Sequence, residues 1–355
     1  MKSLFSKKAK TIIGLDIGTK YIKAVSLDVK GGATEVVGIA CEPILGNAFT
    51  ERELKDFDAV SIALKKVKNS LKVNSKACAL AVSGSSVICK LVYMEPDQTD
   101  FELESQIELE ADSLIPYPLS EVYLDFEELR PSATHTGKVE VLLSAAHRDL
   151  VDSRITVVRE ALFDPKIIDV ETNALGESFI NQLDDDEDEQ IICCVNVGAT
   201  LLQLSVVQNQ EVIYTKEHAF GLNKLNQDLS LIFGVEIQEV ETQLANGTAP
   251  EEWLVQSVPG FIASLQQQIQ RSLQMYTATT HKKMPNRLFL AGGIANLPNV
   301  CEELEKELSL DVSLFNPFKK MKLSDKLDAE RLYSLAPQLT IAVGLATREL
   351  EAWQK

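Results

Sequence analysis

Two short turns, one in each half of the chain, carry residues suited to hold a phosphate group. In each, an apolar run ends in a polar residue, one further residue and a glycine, as in Asp16-Ile-Gly-Thr19 and Asn196-Val-Gly-Ala199. A glycine at the tip of a turn lets the backbone approach an oxyanion and direct its N–H groups at the oxygens. Either turn alone is more often just an ordinary tight hairpin, so the prediction depends on their repetition. The predicted phosphate contacts are Gly18, Thr19, Lys20, Gly198, Ala199 and Thr200.

Other residues complete a predicted nucleotide site. Asp16 ends a buried strand and is suited to hold Mg²⁺ through water, because Mg²⁺ keeps much of its hydration shell. Asn196 has the equivalent place before the second turn. Gly292 and Gly293 follow an apolar strand and precede a helix, which suits close approach to an adenosine, although a plain strand-to-helix loop has the same pattern. We add Gly221 to this nucleotide-binding set.

The elements that position the two turns repeat along the chain. A strand, a return strand and a third strand are predicted over residues 11–17, 21–27 and 35–40, and again over 191–197, 201–207 and 211–217. Internal repetition of this kind predicts two related lobes. A length of 355 residues also favours two domains over one.

A compact α+β unit interrupts the first lobe. Its predicted elements are a strand at 87–93, a helix at 100–114 that ends before Pro116 and Pro118, strands at 122–129 and 139–145, and a helix at 148–162. A strand at 166–170 then returns to the first sheet. We therefore divide the chain into a basic tail (1–9), a first lobe (10–86 with 163–185), an inserted subdomain (87–162) and a second lobe (186–355).

Composition excludes several classes of function. A net charge of −17 disfavours a nucleic-acid binder, because phosphate backbones need clustered Lys and Arg. We find no apolar run of the roughly 20 residues that a spanning helix needs. The six cysteines lack metal-ligand spacing and lie mostly in apolar runs, which favours buried, reduced thiols. The basic tail is expected to be a solubilising segment, although it has the composition to touch an anionic membrane.

These features resemble the actin superfamily, whose α/β fold has two ribonuclease H-like lobes around an ATP. The inserted unit is similar to subdomain 1C of the FtsA branch. Within that branch, the phrases Ala81–Val87, Glu102–Ile107 and Glu110–Leu119 resemble the PilM family of type IV pilus assembly proteins, supported by Val139–Leu143 and Asp169–Glu171. The resemblance covers nearly the whole chain from about residue 10.

The resemblance implies a cytoplasmic protein at the inner face of the inner membrane that binds ATP and Mg²⁺. It implies docking of the cytoplasmic N-terminal segment of PilN, from the PilN–PilO inner-membrane complex, and leaves other platform or motor components open as partners. In the family this peptide lies between the first lobe and the inserted subdomain. We place one wall at Ile115, Pro116, Tyr117 and Pro118, which fit equally a helix stop beside a buried tyrosine.

Asn196 departs from the superfamily pattern, in which many members carry an acid at the second turn. An amide can bind a metal-bound water but adds no negative charge. The resemblance makes Glu171 the candidate for orienting an attacking water, although acids are common at helix N-termini. We therefore expect nucleotide binding with slow or absent hydrolysis, which leaves enzymatic activity open. Alternatives are an FtsA-like membrane-associated division protein, a related type II secretion or mannose-sensitive pilus protein, and a small-molecule kinase.

Overall fold

Two β-sheets, one in each lobe, form the frame of the molecule. The structure is a computed structural model that describes residues 12–30, 32–132, 134–184 and 190–348, so the predicted tail (1–9) lies outside the described residues. The strands are β1 (Ile13–Ile17), β2 (Tyr21–Lys30), β3 (Ala33–Pro43), β4 (Phe49–Thr50), β5 (Glu53–Leu54), β6 (Ala77–Val82), β7 (Val87–Met94), β8 (Val122–Pro131), β9 (Val139–His147), β10 (Asp164–Val170), β11 (Ile192–Val197), β12 (Leu202–Gln208), β13 (Glu211–His218), β14 (Arg287–Gly292), β15 (Asp311–Leu314) and β16 (Lys322–Leu323).

Eleven α-helices surround these sheets in the described part of the chain. They are α1 (Phe57–Leu71), α2 (Asp100–Leu114), α3 (Arg148–Glu160), α4 (Glu171–Gln182), α5 (Leu222–Phe233), α6 (Ile237–Ala245), α7 (Glu251–Gln256), α8 (Val258–Thr280), α9 (Val300–Leu308), α10 (Ala329–Leu335) and α11 (Thr340–Ala346). Amphipathic helices in a globular protein are stabilised by burying one apolar face. In α8 that face is the predicted one, since Leu265, Ile269 and Leu273 are all buried in the core of the second lobe.

The two sheets repeat one topology. The first has the order β10-β6-β1-β2-β3-β16 and the second β13-β12-β11-β14-β15. In each, the first strand pairs antiparallel with its return strand on one side and parallel with a later strand on the other. β1 and β11 are fully buried, as expected for strands covered on both faces. The predicted internal duplication is therefore confirmed, and it brings the ends of β1 and β11 to equivalent places in the two lobes.

The inserted subdomain is a three-stranded antiparallel sheet, in the order β7-β9-β8, with α2 on one face. A capping box begins α2: the Thr99 hydroxyl accepts from the Glu102 N–H, and the Glu102 carboxylate accepts from the Thr99 N–H. Leu103 and Ile107 of this helix pack against Val141 of β9. The other face of the sheet carries Cys89, which is exposed because successive strand residues alternate between faces.

The last helix of the predicted insertion packs on the first lobe instead. Val157 and Val158 of α3 lie in one buried cluster with Leu15 of β1 and Leu64 of α1. α3 also leads directly into β10, which is the parallel neighbour of β6. Parallel neighbours need a crossover element between them, and α3 has that place. These contacts correct the predicted end of the insertion from residue 162 to about residue 147.

The chain returns to the first lobe after β15, which corrects the prediction that residues 186–355 form the second lobe alone. β16 pairs with β3 at the edge of the first sheet. α11 packs against β1, β2 and α4 so closely that a Cβ on Gly344 would lie 1.8 Å from the carbonyl oxygen of Ala174. The sequence between β15 and α11 has no repeat partner in the first half, so the duplication does not predict this return.

Two further features of the described residues concern helix length and the cysteines. Among the residues described, we find no helix with the length and apolar character needed to cross a membrane. All six cysteines carry free thiols, and Cys78, Cys193 and Cys194 are buried as predicted. Cys41 and Cys301 are half-buried, and Cys301 lies on a helix and not in a strand.

Candidate functional site

A cleft at the ends of β1 and β11 brings together most of the residues predicted from the two turns. The predicted residues that line it are Asp16, Gly18, Thr19, Lys20, Glu171, Asn196, Gly198, Ala199, Thr200 and Gly293. They come from both lobes, so a ligand in this cleft would contact both.

Each glycine turn is closed by one hydrogen bond across its hairpin. The Gly18 N–H donates to the Tyr21 carbonyl at 3.1 Å, and the Gly198 N–H donates to the Leu201 carbonyl at 2.9 Å. A Cβ on Gly18 would lie 3.0 Å from the Tyr21 carbonyl oxygen, which is tighter than an ordinary contact. Each glycine therefore leaves one position of its turn without a side chain, next to Thr19 and Lys20 in the first turn and to Ala199 and Thr200 in the second, which suits a phosphate cradle.

Gly221 and Gly292 support the second turn from behind and do not line the cleft. A Cβ on Gly221 would lie 2.4 Å from the Ala199 carbonyl oxygen, and one on Gly292 would lie 2.4 Å from the Val197 carbonyl oxygen. The backbone of Gly292 also has a φ of +91°, which favours glycine. These two glycines allow the start of α5 and the end of β14 to pack directly against the turn, which gives each a packing role, and their contact with a nucleotide stays a prediction.

Asp16 forms a buried ion pair at the first turn. Its carboxylate is 2.6 Å from the Lys23 ammonium, and the residue is only 3% exposed. Burial lowers the pKa of Lys23, but the neighbouring Asp16 charge and hydrogen bond raise it more, so the Lys23 pKa lies above its usual value. The carboxylate proposed for Mg²⁺ therefore already has a cationic partner.

The second turn repeats this pair in neutral form. Asp16 and Lys23 are cross-strand neighbours in the β1–β2 hairpin, and Asn196 and Gln203 have the same register in the β11–β12 hairpin. The Asn196 amide donates to the Gln203 side-chain oxygen at 3.0 Å, in a buried setting. The sequence contained this signal, because both partners follow their turn residue by the same seven positions. We had not predicted Lys23 or Gln203.

Glu171 is the first residue of α4 and also lines the cleft, whereas its role in orienting a water stays a prediction. One carboxylate oxygen accepts from the Arg52 guanidinium, and the other accepts from the Gln203 amide at 3.2 Å. The same amide of Gln203 donates to Glu217 at 3.0 Å. Burial raises the pKa of Glu217, and the nearby Glu171 charge acts in the same direction, whereas the Gln203 bond opposes it.

An ion pair joins the two lobes at the mouth of the cleft. The Lys20 ammonium of the first turn lies 2.7 Å from the Glu241 carboxylate on α6. Beyond it, Leu244, Ala245 and Leu297 give one end of the cleft an apolar wall. Such a surface suits the flat face of a base better than a phosphate. Glu241 was not predicted, since no motif marks α6.

The carboxylates that line the cleft are Asp16, Glu171 and Glu241, and each is paired with a cation. Within residues 12–348, in the parts that the structure describes, we find no group of three or more His, Cys, Asp or Glu side chains placed to hold a metal ion. The described residues of the cleft therefore offer Mg²⁺ few carboxylates that are not already paired with a cation. A magnesium ion here would depend mainly on oxygens brought by its ligand.

The residues predicted to bind a partner peptide differ in their surroundings. Ile115 is 4% exposed and belongs to the core of the inserted subdomain. Tyr117 is half-buried and packs edge-on against His147, with ring centroids 5.7 Å apart. Pro116 and Pro118 are exposed. Ile115 is therefore better explained as the helix stop beside the core, and Pro116, Tyr117 and Pro118 keep accessible surface for a partner.

Comparison with known proteins agrees with this architecture. The fold is similar to that of the "PilM-PilN type IV pilus biogenesis complex", at 21% identity and a TM-score of 0.82 over 95% of this chain and 98% of that one. The ethanolamine utilization protein EutJ from Carboxydothermus hydrogenoformans (13% identity, TM-score 0.56, 95% and 89% covered) and MreB 5 of Spiroplasma citri bound to AMPPNP (11%, 0.50, 95% and 95%) share the fold more distantly. The fold is therefore the predicted actin-like one.

The strongest finding concerns the sequence itself. The family model described as "Type IV pilus assembly protein PilM" matches residues 14–350, which is nearly the whole chain. The match includes both glycine turns, the inserted subdomain and the return to the first lobe. The chain therefore belongs to the PilM family of type IV pilus assembly proteins.

Proposed function

We propose that this chain binds ATP between its lobes and docks the cytoplasmic N-terminal segment of PilN, as a cytoplasmic part of the pilus platform at the inner membrane. One observation carries the nucleotide part: ten residues predicted for different parts of a nucleotide site line a single cleft. MreB 5 of Spiroplasma citri, which shares the fold, is bound to AMPPNP and supports the same ligand class. The roles below follow from the geometry of the cleft.

The two glycine turns are proposed to hold the phosphates. Their closing hydrogen bonds fix the backbone, and Lys20 adds a positive charge at the cleft mouth. The apolar wall formed by Leu244, Ala245 and Leu297 is proposed to take the adenine, with Gly293 allowing close backbone approach. Because the two turns come from different lobes, a nucleotide bound to both would hold the lobes at one separation.

Hydrolysis is expected to be slow. When bound, Mg²⁺ would neutralise phosphate charge, and Asp16 would reach it through water while also paired with Lys23. Asn196 adds no charge on the opposite side, and Glu171 is held by Arg52 and Gln203. A carboxylate fixed by two donors is poorly placed to orient an attacking water. The nucleotide is therefore proposed to act in assembly more than as a source of energy.

Docking of PilN is proposed on the inserted subdomain. The similar fold of the PilM–PilN complex supports this class of partner, and the match to the family model supports the same process. Pro116, Tyr117 and Pro118 offer accessible apolar surface beside the first lobe. Through this partner, itself bound to PilO, the protein would be held at the membrane without inserting into it.

Calorimetric titration with Mg-ATP tests the nucleotide site. In Gly198→Val, a Cβ would make only an ordinary contact, 3.5 Å from the Leu201 carbonyl oxygen, while the rest of the side chain blocks the turn. We expect the affinity for ATP to fall at least about tenfold. The control Gly260→Val lies on α8, where a Cβ would meet nothing within 4 Å, and should keep wild-type affinity. Absence of ATP binding by the wild-type chain would refute the site.

The partner is tested by fluorescence anisotropy with a labelled peptide of the PilN N-terminal segment. Tyr117→Ala should weaken binding by roughly tenfold, because half-buried aromatic side chains often dominate peptide interfaces. Tyr333→Ala, which removes an exposed tyrosine of α10, is the matched control and should bind normally. If the peptide does not bind the wild-type chain, the partner assignment fails while the nucleotide site stands.

A further inference from the structure

Arg52 lies where the cleft, the first lobe and the inserted subdomain meet. It occupies the turn of the β4–β5 hairpin, and its side chain is only 16% exposed. The same terminal nitrogen of its guanidinium donates to the Glu171 carboxylate and to the Ser83 hydroxyl. The Arg52 guanidinium thus contacts Glu171, the predicted water-orienting residue, and Ser83, where the chain leaves the first sheet for the subdomain.

On the cleft side, this contact continues to the phosphate turn of the other lobe. Glu171 accepts from Gln203, and Gln203 accepts from Asn196, which precedes the second glycine turn. Among the described residues, the Arg52 Nε is buried without a hydrogen-bond partner. Buried donors are usually satisfied. The Arg52 guanidinium, which lines the cleft, therefore has one donor that these bonds do not use.

On the subdomain side, Arg52 packs against the segment from which the insertion begins. Gly84 has a φ of +97°, and a Cβ there would lie 3.1 Å from the Arg52 Cγ. The Gly84 backbone also hydrogen-bonds Glu217 of the second lobe, which is bonded in turn to Gln203. The bonds and contacts therefore close a ring through both lobes and the root of the subdomain.

The backbone of the hairpin is itself held in place. The guanidinium of Arg154 on α3 donates to the Ile17 carbonyl at 2.7 Å and, at 3.5 Å, to the Arg52 carbonyl. Arg154 is 2% exposed and packs over the Phe49 ring. These bonds anchor the backbone of the hairpin on the end of β1.

We propose that Arg52 is a positioning residue that couples occupancy of the nucleotide cleft to the orientation of the inserted subdomain, through Glu171 on one side and Ser83 on the other. The inference rests on the proposed nucleotide binding. A phosphate or water near Glu171 and Arg52 Nε changes how the guanidinium is shared between its two acceptors. Since Ser83 and Gly84 precede the subdomain directly, the change reaches the surface proposed for PilN.

Hydrogen exchange measured with and without Mg-AMPPNP tests this coupling without a partner protein. In the wild-type chain we expect the nucleotide to change exchange of amides in residues 84–99 at least about fivefold, the lower end of common allosteric couplings. In Arg52→Met this change should fall below about twofold at an AMPPNP concentration that calorimetry shows to saturate the variant. Arg52→Lys should be intermediate, because an ammonium lacks the planar guanidinium fork.

The control is Lys55→Met, which removes the other cation of the hairpin region. Lys55 is largely exposed and pairs only with its neighbour Glu53 among the ion pairs described, so the response to nucleotide should be unchanged. A wild-type response in Arg52→Met and Arg52→Lys, with nucleotide bound, overturns the role of Arg52 and leaves the proposed function intact. Absence of nucleotide binding in the wild-type chain overturns both.

Discussion

The neutral pair at the second turn makes Asn196→Asp an informative substitution. In the wild-type chain Asn196 donates to the Gln203 oxygen, while the Gln203 amide donates to Glu171 and Glu217. The carboxylate introduced at position 196 would face the side-chain oxygen of Gln203, and neither group can donate a hydrogen bond to the other. Rotation of the Gln203 amide would satisfy the carboxylate but would turn an oxygen towards two other carboxylates. No orientation of Gln203 satisfies all three groups.

The size of the effect follows from burial. Asn196 is 8% exposed and Gln203 is 1% exposed, so the new charge has little access to water. Leaving a buried charge without a partner costs about 3–5 kcal/mol. The double variant Asn196→Asp with Gln203→Lys recreates the Asp16–Lys23 pair in the same register. It should recover about 2 kcal/mol or more, since breaking such a pair costs at least that much.

Urea unfolding followed by tryptophan fluorescence measures both variants. Trp253 is 4% exposed in the core of the second lobe, so its emission reports the lobe that carries the substitution. The control Asn246→Asp adds the same charge at an exposed position and should change stability by less than about 0.5 kcal/mol. A loss below about 1 kcal/mol for Asn196→Asp, or no recovery in the double variant, would refute the reasoning.

Three other outcomes are expected. Lys20→Ala should lower ATP affinity roughly tenfold in calorimetry, whereas Glu241→Gln, which frees the same ammonium, should not lower it; equal losses would contradict this. Gly344→Ala should lower the free energy of unfolding by several kcal/mol, which a thermal melt would show as a lower midpoint, whereas Gly260→Ala, in open space, should not lower it. The pKa of Glu217 is raised on folding, so the charged form of this residue lowers the stability of the wild-type chain as the pH rises past the pKa of the unfolded state. Glu217→Gln should therefore be more stable than the wild-type chain at pH 7 and should lose this advantage near pH 4. A gain in stability that does not depend on pH would contradict the reasoning.

The sequence predicts the parts of the site that the duplication repeats. The turns at Gly18 and Gly198 follow equivalent strands, and equivalent strands end at equivalent places, so the eight residues predicted from the two turns meet in one cleft. The register of the hairpins would also have revealed Lys23 and Gln203. These residues could be predicted because a local pattern fixes both their spacing and the side of the strand on which they lie.

Other parts depend on contacts that no local pattern encodes. Arg52 meets Glu171 across 119 positions of sequence, through a hairpin with strands of two residues each. Helix α3 carries an ordinary amphipathic pattern, which shows that it has a core face but not which core it joins. Gly221 and Gly292 look like ligand glycines because close approach to backbone and close approach to phosphate both require the absence of a Cβ.

The return of the chain to the first lobe has a consequence for synthesis. Val25, Leu27 and Val36 are covered by Phe318, Leu332 and other residues that follow them by almost the whole length of the chain. While the ribosome is still making the second lobe, this apolar face of the first sheet has no partner of its own. Nascent chains expose such surfaces to association and misfolding. The emerging first lobe is therefore expected to be a chaperone client until residues 318–346 have left the exit tunnel.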